Sequence, residues 1–143
     1  MLYHQQPDNF KPKFEVVGNF VQYQDKIILL RRQNNKPQGN TWGIPSGKID
    51  EGEDLITATC RETFEETGII IPRTELKFFK TTYVRYADYD FVYHMFSYIL
   101  TTPVATSLST TEHKEIKWVT VREAFSLPLI EDLDECLKLF FKC

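Results

Sequence analysis

Cysteine is scarce in this sequence, and its arrangement excludes two common uses of the residue. The 143 residues include three cysteines, Cys60, Cys136 and Cys143, with no CxxC pair and no Cys/His spacing. An odd number of scattered cysteines indicates neither a disulfide framework nor a zinc site. We therefore expect the protein to belong to a reducing compartment.

Long apolar runs and an excess of positive charge are also absent. No stretch approaches the roughly 18 apolar residues of a membrane span, and residues 1–12 lack the apolar centre of a signal peptide. The 17 basic residues are outnumbered by 20 acidic ones, so the net charge is −3 and no broad positive field is available for a nucleic-acid polymer. These absences predict a cytoplasmic protein with neither a membrane nor a polymeric nucleic acid as partner.

The composition itself is typical of a globular protein. Hydrophobic residues make up 42% of the chain and charged residues 26%, which is enough apolar material for one core. No repeat, low-complexity tract or Pro/Gly/Ser-rich linker divides the sequence. We expect a single domain over residues 1–143. The oligomeric state stays open, with a homodimer as one option.

The pattern of apolar residues predicts strands and helices in alternating blocks. The predicted strands cover residues 14–21, 26–31, 76–84, 91–100 and 115–121, and the predicted helices cover residues 55–67 and 131–140. The first two strands are expected to form a hairpin, and strands 76–84 and 91–100 are expected at the centre of the sheet. Asp54 is suited to cap the first helix, and Gly68 is suited to end it. This order predicts an α+β or layered α/β/α domain.

The helix predicted at residues 55–67 concentrates negative charge on one side. Glu62, Glu65 and Glu66 lie within about 100° of arc, where like charges three and four residues apart destabilise a helix. A solvated acidic face is the ordinary interpretation of such a run. Carboxylates grouped in this way also suit magnesium or manganese. The other side is predicted to pack on a sheet without the acids, through Ile56, Thr59, Cys60, Thr63 and Phe64.

The residues around these acids favour the metal-binding interpretation. Residues 47–69 follow the pattern G-x5-E-x7-RE-x2-EE-x-GI, which resembles the Nudix box. Every glycine, glutamate and arginine of that box is present at its spacing. Thr63 departs from the pattern, because the family usually has a large aliphatic residue there.

The resemblance implies a fold and an activity. The fold would be α+β, a Nudix-type α/β/α sandwich with a mixed central sheet. The activity would be hydrolysis of a phosphoanhydride bond in a nucleoside diphosphate-linked compound, with Mg²⁺ or Mn²⁺ as cofactor and a small-molecule nucleotide as substrate.

The substrate within that class is predicted from size and plain architecture. These favour a nucleoside triphosphate, intact or oxidised, which is cleaved to a monophosphate and pyrophosphate. The alternatives are a dinucleoside polyphosphate or nucleotide-sugar hydrolase, and a non-catalytic nucleotide-sensing Nudix module. An intact box argues against the sensing module, because such modules tend to lose their metal-binding glutamates.

The resemblance also implies roles for single residues. The metal ligands would be the backbone carbonyl of Ser46 and the carboxylates of Glu62, Glu65 and Glu66. Glu62 is slightly favoured as the general base, and Glu112, in the loop before the last strand, is the alternative. Arg61 and Glu53 resemble the pair that fixes the catalytic glutamates in this family.

Residues outside the box bear on the substrate. ADP-ribose-cleaving relatives tend to carry a proline downstream of the box, whereas this chain has Tyr83 to Tyr86 in that region. ADP-ribose is therefore disfavoured, and Tyr86 is a candidate to stack on a base. Four cations, Arg31, Arg32, Lys48 and Arg85, are interpreted as solvated surface charges, and the aromatic alternation from Phe91 to Tyr98 as core.

Overall fold

One mixed sheet of eight strands forms the centre of the molecule, and the computed structural model describes all residues, 1–143. The strands are β1 (Leu2–Tyr3), β2 (Pro12–Tyr23), β3 (Lys26–Arg32), β4 (Trp42–Gly43), β5 (Ser46–Lys48), β6 (Lys77–Arg85), β7 (Asp90–Leu100) and β8 (His113–Thr120). Their order is β1-β6-β7-β2-β3-β4, with β5 paired to β2 and β8 paired to β3. The β2–β7 pair is parallel and the other pairs are antiparallel, so the predicted mixed sheet is confirmed.

Three α-helices accompany the sheet: α1 (Leu55–Thr67), α2 (Val121–Phe125) and α3 (Leu133–Phe141). Helix α1 has the predicted ends. The Asp54 carboxylate accepts a hydrogen bond from the Thr57 amide at 2.7 Å, and Gly68 closes the helix in the left-handed region at φ 77°. No helix in the structure combines the length and the apolar character needed to cross a bilayer.

Helix α2 was not predicted, although its sequence contains a recognised start signal. Thr120 and Glu123 form a reciprocal capping box, in which each side chain accepts a hydrogen bond from the other residue's amide. Helix α3 begins two residues later than predicted, because Asp132 adopts a left-handed conformation at φ 69° and redirects the chain.

The predicted hairpin of β2 and β3 is shorter than expected. The two strands pair only at Gln22 with Ile27 and at Tyr23 with Lys26. Beyond this point they diverge, so that β2 pairs along its length with β7 and β3 pairs with β8. Strand β5 fits beside β2, with residues 46–48 opposite residues 16–18. The divergence opens one end of the sheet, and β5 brings the start of the box into that opening.

The central position predicted for two later strands is correct for one of them. Strand β7 lies between β6 and β2 and carries two of the largest fully buried side chains, Met95 and Phe96. Strand β6 has only the two-residue β1 on its other side, so it lies close to the edge. The hydrophobic content of the two strands did not show which is central and which is near the edge. Strand β6 carries buried residues on one face, as a central strand does.

Two apolar clusters lie on opposite faces of the sheet. One contains Phe20, Met95 and the helix α3 residue Leu137, and its aromatic centre is the stacked pair Phe20 and Phe140 at 4.3 Å. The other includes Val17 and Ala58, and it packs beneath α1. Helices therefore cover both faces, as the predicted α/β/α sandwich requires.

The predicted packing face of α1 is partly wrong. Phe64 is 53% exposed, whereas the acid Glu66 is only 7% exposed and faces inward. Three threonines can be buried beside it, since the hydroxyls of Thr59, Thr63 and Thr67 each donate to the carbonyl four residues earlier. The inner face is thus rotated away from Phe64 and toward Glu66, and the threonines can line it because their hydroxyls are hydrogen-bonded within the helix.

Thr63, the residue that departs from the box pattern, has a polar partner on the sheet. It is fully buried, and its hydroxyl accepts a hydrogen bond from the side-chain amide of Asn19 in β2 at 3.0 Å. Where the family usually buries an aliphatic side chain, this chain therefore joins helix and sheet by a buried hydrogen bond.

Candidate active site

Arg61 gathers three of the predicted site carboxylates around one guanidinium. It donates two hydrogen bonds to Glu53, at 2.7 and 2.9 Å, and one to Glu62 at 2.9 Å. A longer bond of 3.3 Å reaches Glu65, and another reaches the Lys48 carbonyl. The hydrogen bond from Arg61 is the main cause that lowers the pKa of Glu53 below its ordinary value. Glu53 is therefore held as an anion, and the fork fixes the orientation of Arg61.

Glu62 points from α1 toward strand β5. Its carboxyl group lies so close to Gly47 that a Cβ atom on that glycine would be 2.1 Å from the carboxyl carbon. Burial raises the pKa of Glu62 above its ordinary value, and the charges of Glu65 and Glu112 act in the same direction. Arg61 opposes this shift. The first glycine of the box thus leaves the space that the Glu62 carboxylate occupies.

Glu66 is the buried member of the cluster. Its Oε1 accepts a hydrogen bond from the Ser46 amide at 2.8 Å, and no lysine or arginine pairs with it. Burial raises its pKa well above the ordinary value, while the bond from Ser46 opposes the shift. A buried carboxylate without a cationic partner is costly, so its surroundings fit a bound divalent cation. Ser46 contacts Glu66 through its amide, and the role of its carbonyl stays a prediction.

A histidine that the sequence analysis passed over lies beside Glu66. His113 begins β8 and is 7% exposed, and its Nδ1 is 3.4 Å from Glu66 Oε2. Burial, and then the charge of Arg32, lowers the pKa of His113 to about 4. Glu66, His113 and the exposed Glu112 offer ligand atoms that all lie within 4.8 Å of one another. The sequence feature that could have indicated His113 is its position next to Glu112, just before a predicted strand.

A cleft of about 660 Å³ reaches this cluster at Glu112 and His113 and extends away from it. Ser46, Gly47, Glu62, Glu112 and His113 line its acidic end. The rest of its wall includes a group of aromatic residues and a group of cations. The aromatic residues are Phe14, Tyr86, Tyr89, Phe91 and Tyr93, and the cations are Lys13, Arg32, Lys36 and Lys48.

Two of the four cations interpreted as surface charges therefore belong to the cleft. Arg32 and Lys48 line it, and the Lys48 ammonium lies 4.3 Å from the centre of the Phe14 ring. Arg31 and Arg85 are instead paired with Glu115 at 3.4 Å and Asp90 at 2.9 Å. The aromatic residues of β7 lie on both faces of the sheet. Phe91 and Tyr93 face the cleft, whereas Phe96 belongs to the core beneath α1.

Comparison with known proteins identifies the family of this chain, and with it a class of hydrolases that act on acid anhydrides. Residues 12–140 match the family model of the NUDIX domain. The "Uncharacterized Nudix hydrolase YvcI" of Bacillus subtilis (strain 168) is 30% identical over 115 residues, which are 80% of this chain and 70% of that protein. The chain belongs to the Nudix hydrolase family, whose members act on nucleoside diphosphate-linked compounds.

Solved structures agree with this assignment at the level of the fold. The MutT protein from Methanosarcina mazei Go1 has a TM-score of 0.79 and 23% identity, over 92% of this chain and 95% of that chain. The NUDIX domain of Shewanella oneidensis NrtR, solved with ADP ribose, has a TM-score of 0.80 and 23% identity, over 96% of this chain and 92% of that one. Nudix hydrolases generally need a divalent metal ion, and the acidic cluster is the candidate site for it.

Proposed function

We propose that the protein hydrolyses a nucleoside triphosphate, intact or oxidised, to a nucleoside monophosphate and pyrophosphate. The observation that carries this proposal is one continuous cleft with carboxylates at one end and aromatic rings elsewhere on its wall. Its volume is within the range of about 300–1,000 Å³ that is typical of sites for small molecules. A mononucleotide needs this combination, since its phosphates bind through metal ions and its base binds by stacking.

The metal ions would be held by Glu62, Glu65 and Glu66, with the carbonyl of Ser46 as a further ligand. When bound, they would polarise the phosphate oxygens and lower the pKa of an attacking water. Arg61 and Glu53 hold the Glu62 carboxylate in place through the bonds described above. Their role in this proposal is to position the glutamates rather than to contact the substrate.

Glu62 is the preferred general base of the proposed reaction. Its carboxylate lines the acidic end of the cleft and is oriented by the 2.9 Å hydrogen bond from Arg61. Glu112 is the alternative, because it lies at the same end of the cleft and is exposed. Turnover of Glu62→Gln and Glu112→Gln tests the preference, since Glu62→Gln would remove both a metal ligand and the base and should show the larger loss. A loss at Glu112 as large as that at Glu62 would contradict the preference.

The remaining cleft residues are suited to bind the substrate. Arg32, Lys36 and Lys48 would approach its phosphates, where cations balance negative charge. Tyr86 would stack on the base, as its ring is already supported edge-on by Phe91 at a centroid distance of 5.1 Å.

A side-by-side hydrolysis assay tests the proposal. Nucleoside triphosphates, an oxidised triphosphate, a dinucleoside polyphosphate and ADP-ribose are each incubated with enzyme and Mg²⁺, and the products are separated by chromatography. We expect a triphosphate to be cleaved fastest, with monophosphate and pyrophosphate as products. Faster cleavage of ADP-ribose, or nucleotide binding without any hydrolysis, would contradict it. The latter result would indicate a nucleotide-sensing module.

A further inference from the structure

The buried imidazole of His113 has a position that the proposed reaction does not explain. It lines the acidic end of the cleft, at the first residue of β8, opposite Arg32 in β3. Its Nδ1 lies 3.4 Å from Glu66 Oε2, which is longer than a well-formed N–H···O hydrogen bond. The pair is therefore close without being directly bonded.

The spacing of these two atoms is that of two ligands of one ion. Ligand atoms about 2.1 Å from a common ion, at angles of about 90–109°, are separated by about 3.0–3.4 Å. The ligand atoms of Glu66, His113 and Glu112 all lie within 4.8 Å of one another, so the third ligand is within reach. Glu112 is exposed and can adjust its side chain, whereas Glu66 and His113 are fixed by burial.

A structural ion pair between His113 and Glu66 is the simpler interpretation, and their surroundings argue against it. The 3.4 Å between His113 Nδ1 and Glu66 Oε2 is too long for a well-formed hydrogen bond, and Arg32 stands opposite His113 across the β3–β8 pair. The only direct hydrogen bond to the Glu66 carboxyl group comes from the Ser46 amide. Two buried ligand groups at this distance, with no direct bond between them, fit a divalent cation held by both.

We propose that His113 donates a nitrogen ligand to a divalent ion shared with Glu66 and Glu112, and that this ligand favours Mn²⁺ over Mg²⁺. Mg²⁺ is bound almost entirely through oxygen, whereas imidazole is a good ligand for transition metals. The inference depends on the metal site of the proposed function, and it adds a ligand and a metal preference to that site.

Pulsed electron paramagnetic resonance of Mn²⁺ tests the nitrogen ligand without any measurement of activity. Unmutated protein with less than one equivalent of Mn²⁺ should show ¹⁴N modulation, and histidine labelled with ¹⁵N should change it to the ¹⁵N pattern. His113→Gln should abolish the nitrogen signal. His94→Gln is the matched control, because His94 is also buried but bonds to Glu15 and Thr81 on the face of the sheet that packs against α1.

Calorimetry on the same variants tests the preference. We expect His113→Gln to weaken Mn²⁺ binding about tenfold and Mg²⁺ binding at most twofold, which is the effect expected of a single ligand or its immediate partner. Bound Mn²⁺ without nitrogen modulation in the unmutated protein, or modulation that persists in His113→Gln, would overturn the proposed ligand. Equal weakening of both ions would overturn the preference.

The two proposals fail separately in these experiments. Nitrogen modulation in a protein that hydrolyses none of the tested nucleotides would support the ligand and contradict the proposed function. Rapid triphosphate hydrolysis with no nitrogen modulation would overturn the ligand alone. If His113→Gln fails to fold, the labelled, unmutated protein still shows whether a histidine nitrogen binds Mn²⁺, and His94→Gln shows whether that nitrogen belongs to His94.

Discussion

Glu66 shows how one side chain can be unfavourable for the fold and useful for the site. It points inward from α1 and is only 7% exposed, and its one direct hydrogen bond comes from the amide of Ser46. Burial raises its pKa well above the ordinary value, which means that the folded chain disfavours its charged form. A cation bound at this position would offset the cost of burying the charge.

Replacement of Glu66 by glutamine should stabilise the metal-free protein in a pH-dependent way. The unfolded carboxyl ionises near its ordinary pKa of 4.5 and the folded one only well above it, so the protein loses stability as pH rises through this window. Glutamine keeps an acceptor for Ser46 and does not ionise. The gain in unfolding free energy should therefore be small at about pH 4 and grow toward about pH 7.

Urea denaturation in excess chelator measures this difference. Glu65→Gln is the control, because the Glu65 side chain is 55% exposed and its replacement should change stability little. Both variants should lose turnover by orders of magnitude if the two carboxylates hold metal. A gain for Glu66→Gln that does not change with pH would show that its charge is not the destabilising feature.

Tyr86 is the residue through which base stacking can be tested. Tyr86→Ala removes the ring and should raise KM several-fold with little change in kcat, because stacking is worth roughly 1–3 kcal/mol and acts away from phosphorus. Tyr86→Phe is the control. It keeps the ring and loses the hydroxyl, which donates a 3.3 Å hydrogen bond to the Glu131 carbonyl. In steady-state kinetics with a triphosphate, Tyr86→Phe should have a KM and kcat close to those of the unmutated enzyme. An equal rise in KM for both variants would contradict stacking.

At the scale of elements, strand β5 and helix α1 meet at Gly47 and Glu62. Gly47→Ala would place a Cβ atom 2.1 Å from the Glu62 carboxyl carbon, so the flexible glutamate must move and the backbone can stay. We expect a loss of turnover of at least tenfold, with a small change in the melting temperature. Gly43→Ala is the matched control, because its Cβ would make an ordinary 3.5 Å contact with Ile130.

Kinetic and thermal measurements on both glycine variants check this prediction. The Gly43 variant should keep the turnover of the unmutated enzyme. If the melting temperature of Gly47→Ala is far below that of the unmutated enzyme, the backbone fold requires the glycine, and the space for Glu62 is a secondary effect.

At the scale of the whole molecule, the site joins elements that are distant in the chain. Helix α1 and the start of β8 contribute carboxylate and imidazole groups to the same end of the cleft, and strand β5 contributes the backbone of Ser46 and Gly47. A divalent ion that binds these groups in the folded state alone must also stabilise the fold.

Chelation should therefore lower both activity and thermal stability. We expect hydrolysis to stop in excess chelator and to return with Mg²⁺ or Mn²⁺, because the carboxylates cannot polarise a phosphate without metal. At about 100 times its Kd, an ion that binds only the folded protein adds about 2.7 kcal/mol, which raises the melting temperature by several degrees. Circular dichroism should still show a folded protein in chelator. Full activity there would contradict the metal mechanism.

The sequence by itself determined the features that depend on short spacing along the chain. The cap at Asp54, the left-handed end at Gly68 and the grouping of the box glutamates follow from 3.6 residues per turn and from local hydrogen bonds. The box spacing also led to the family, since the same local pattern was sufficient to predict the fold and the class of reaction.

Only the tertiary structure decided which distant residues meet. The Thr63 hydroxyl accepts a hydrogen bond from Asn19, which lies 44 residues away in the sequence. His113 lies beside Glu66, and Arg32 lines the cleft. The parallel pairing of β2 with β7 and the early divergence of β2 from β3 are equally non-local. Local pattern cannot predict these contacts, because the energy of a side chain depends on the surface that buries it and that surface exists only after the strands have paired.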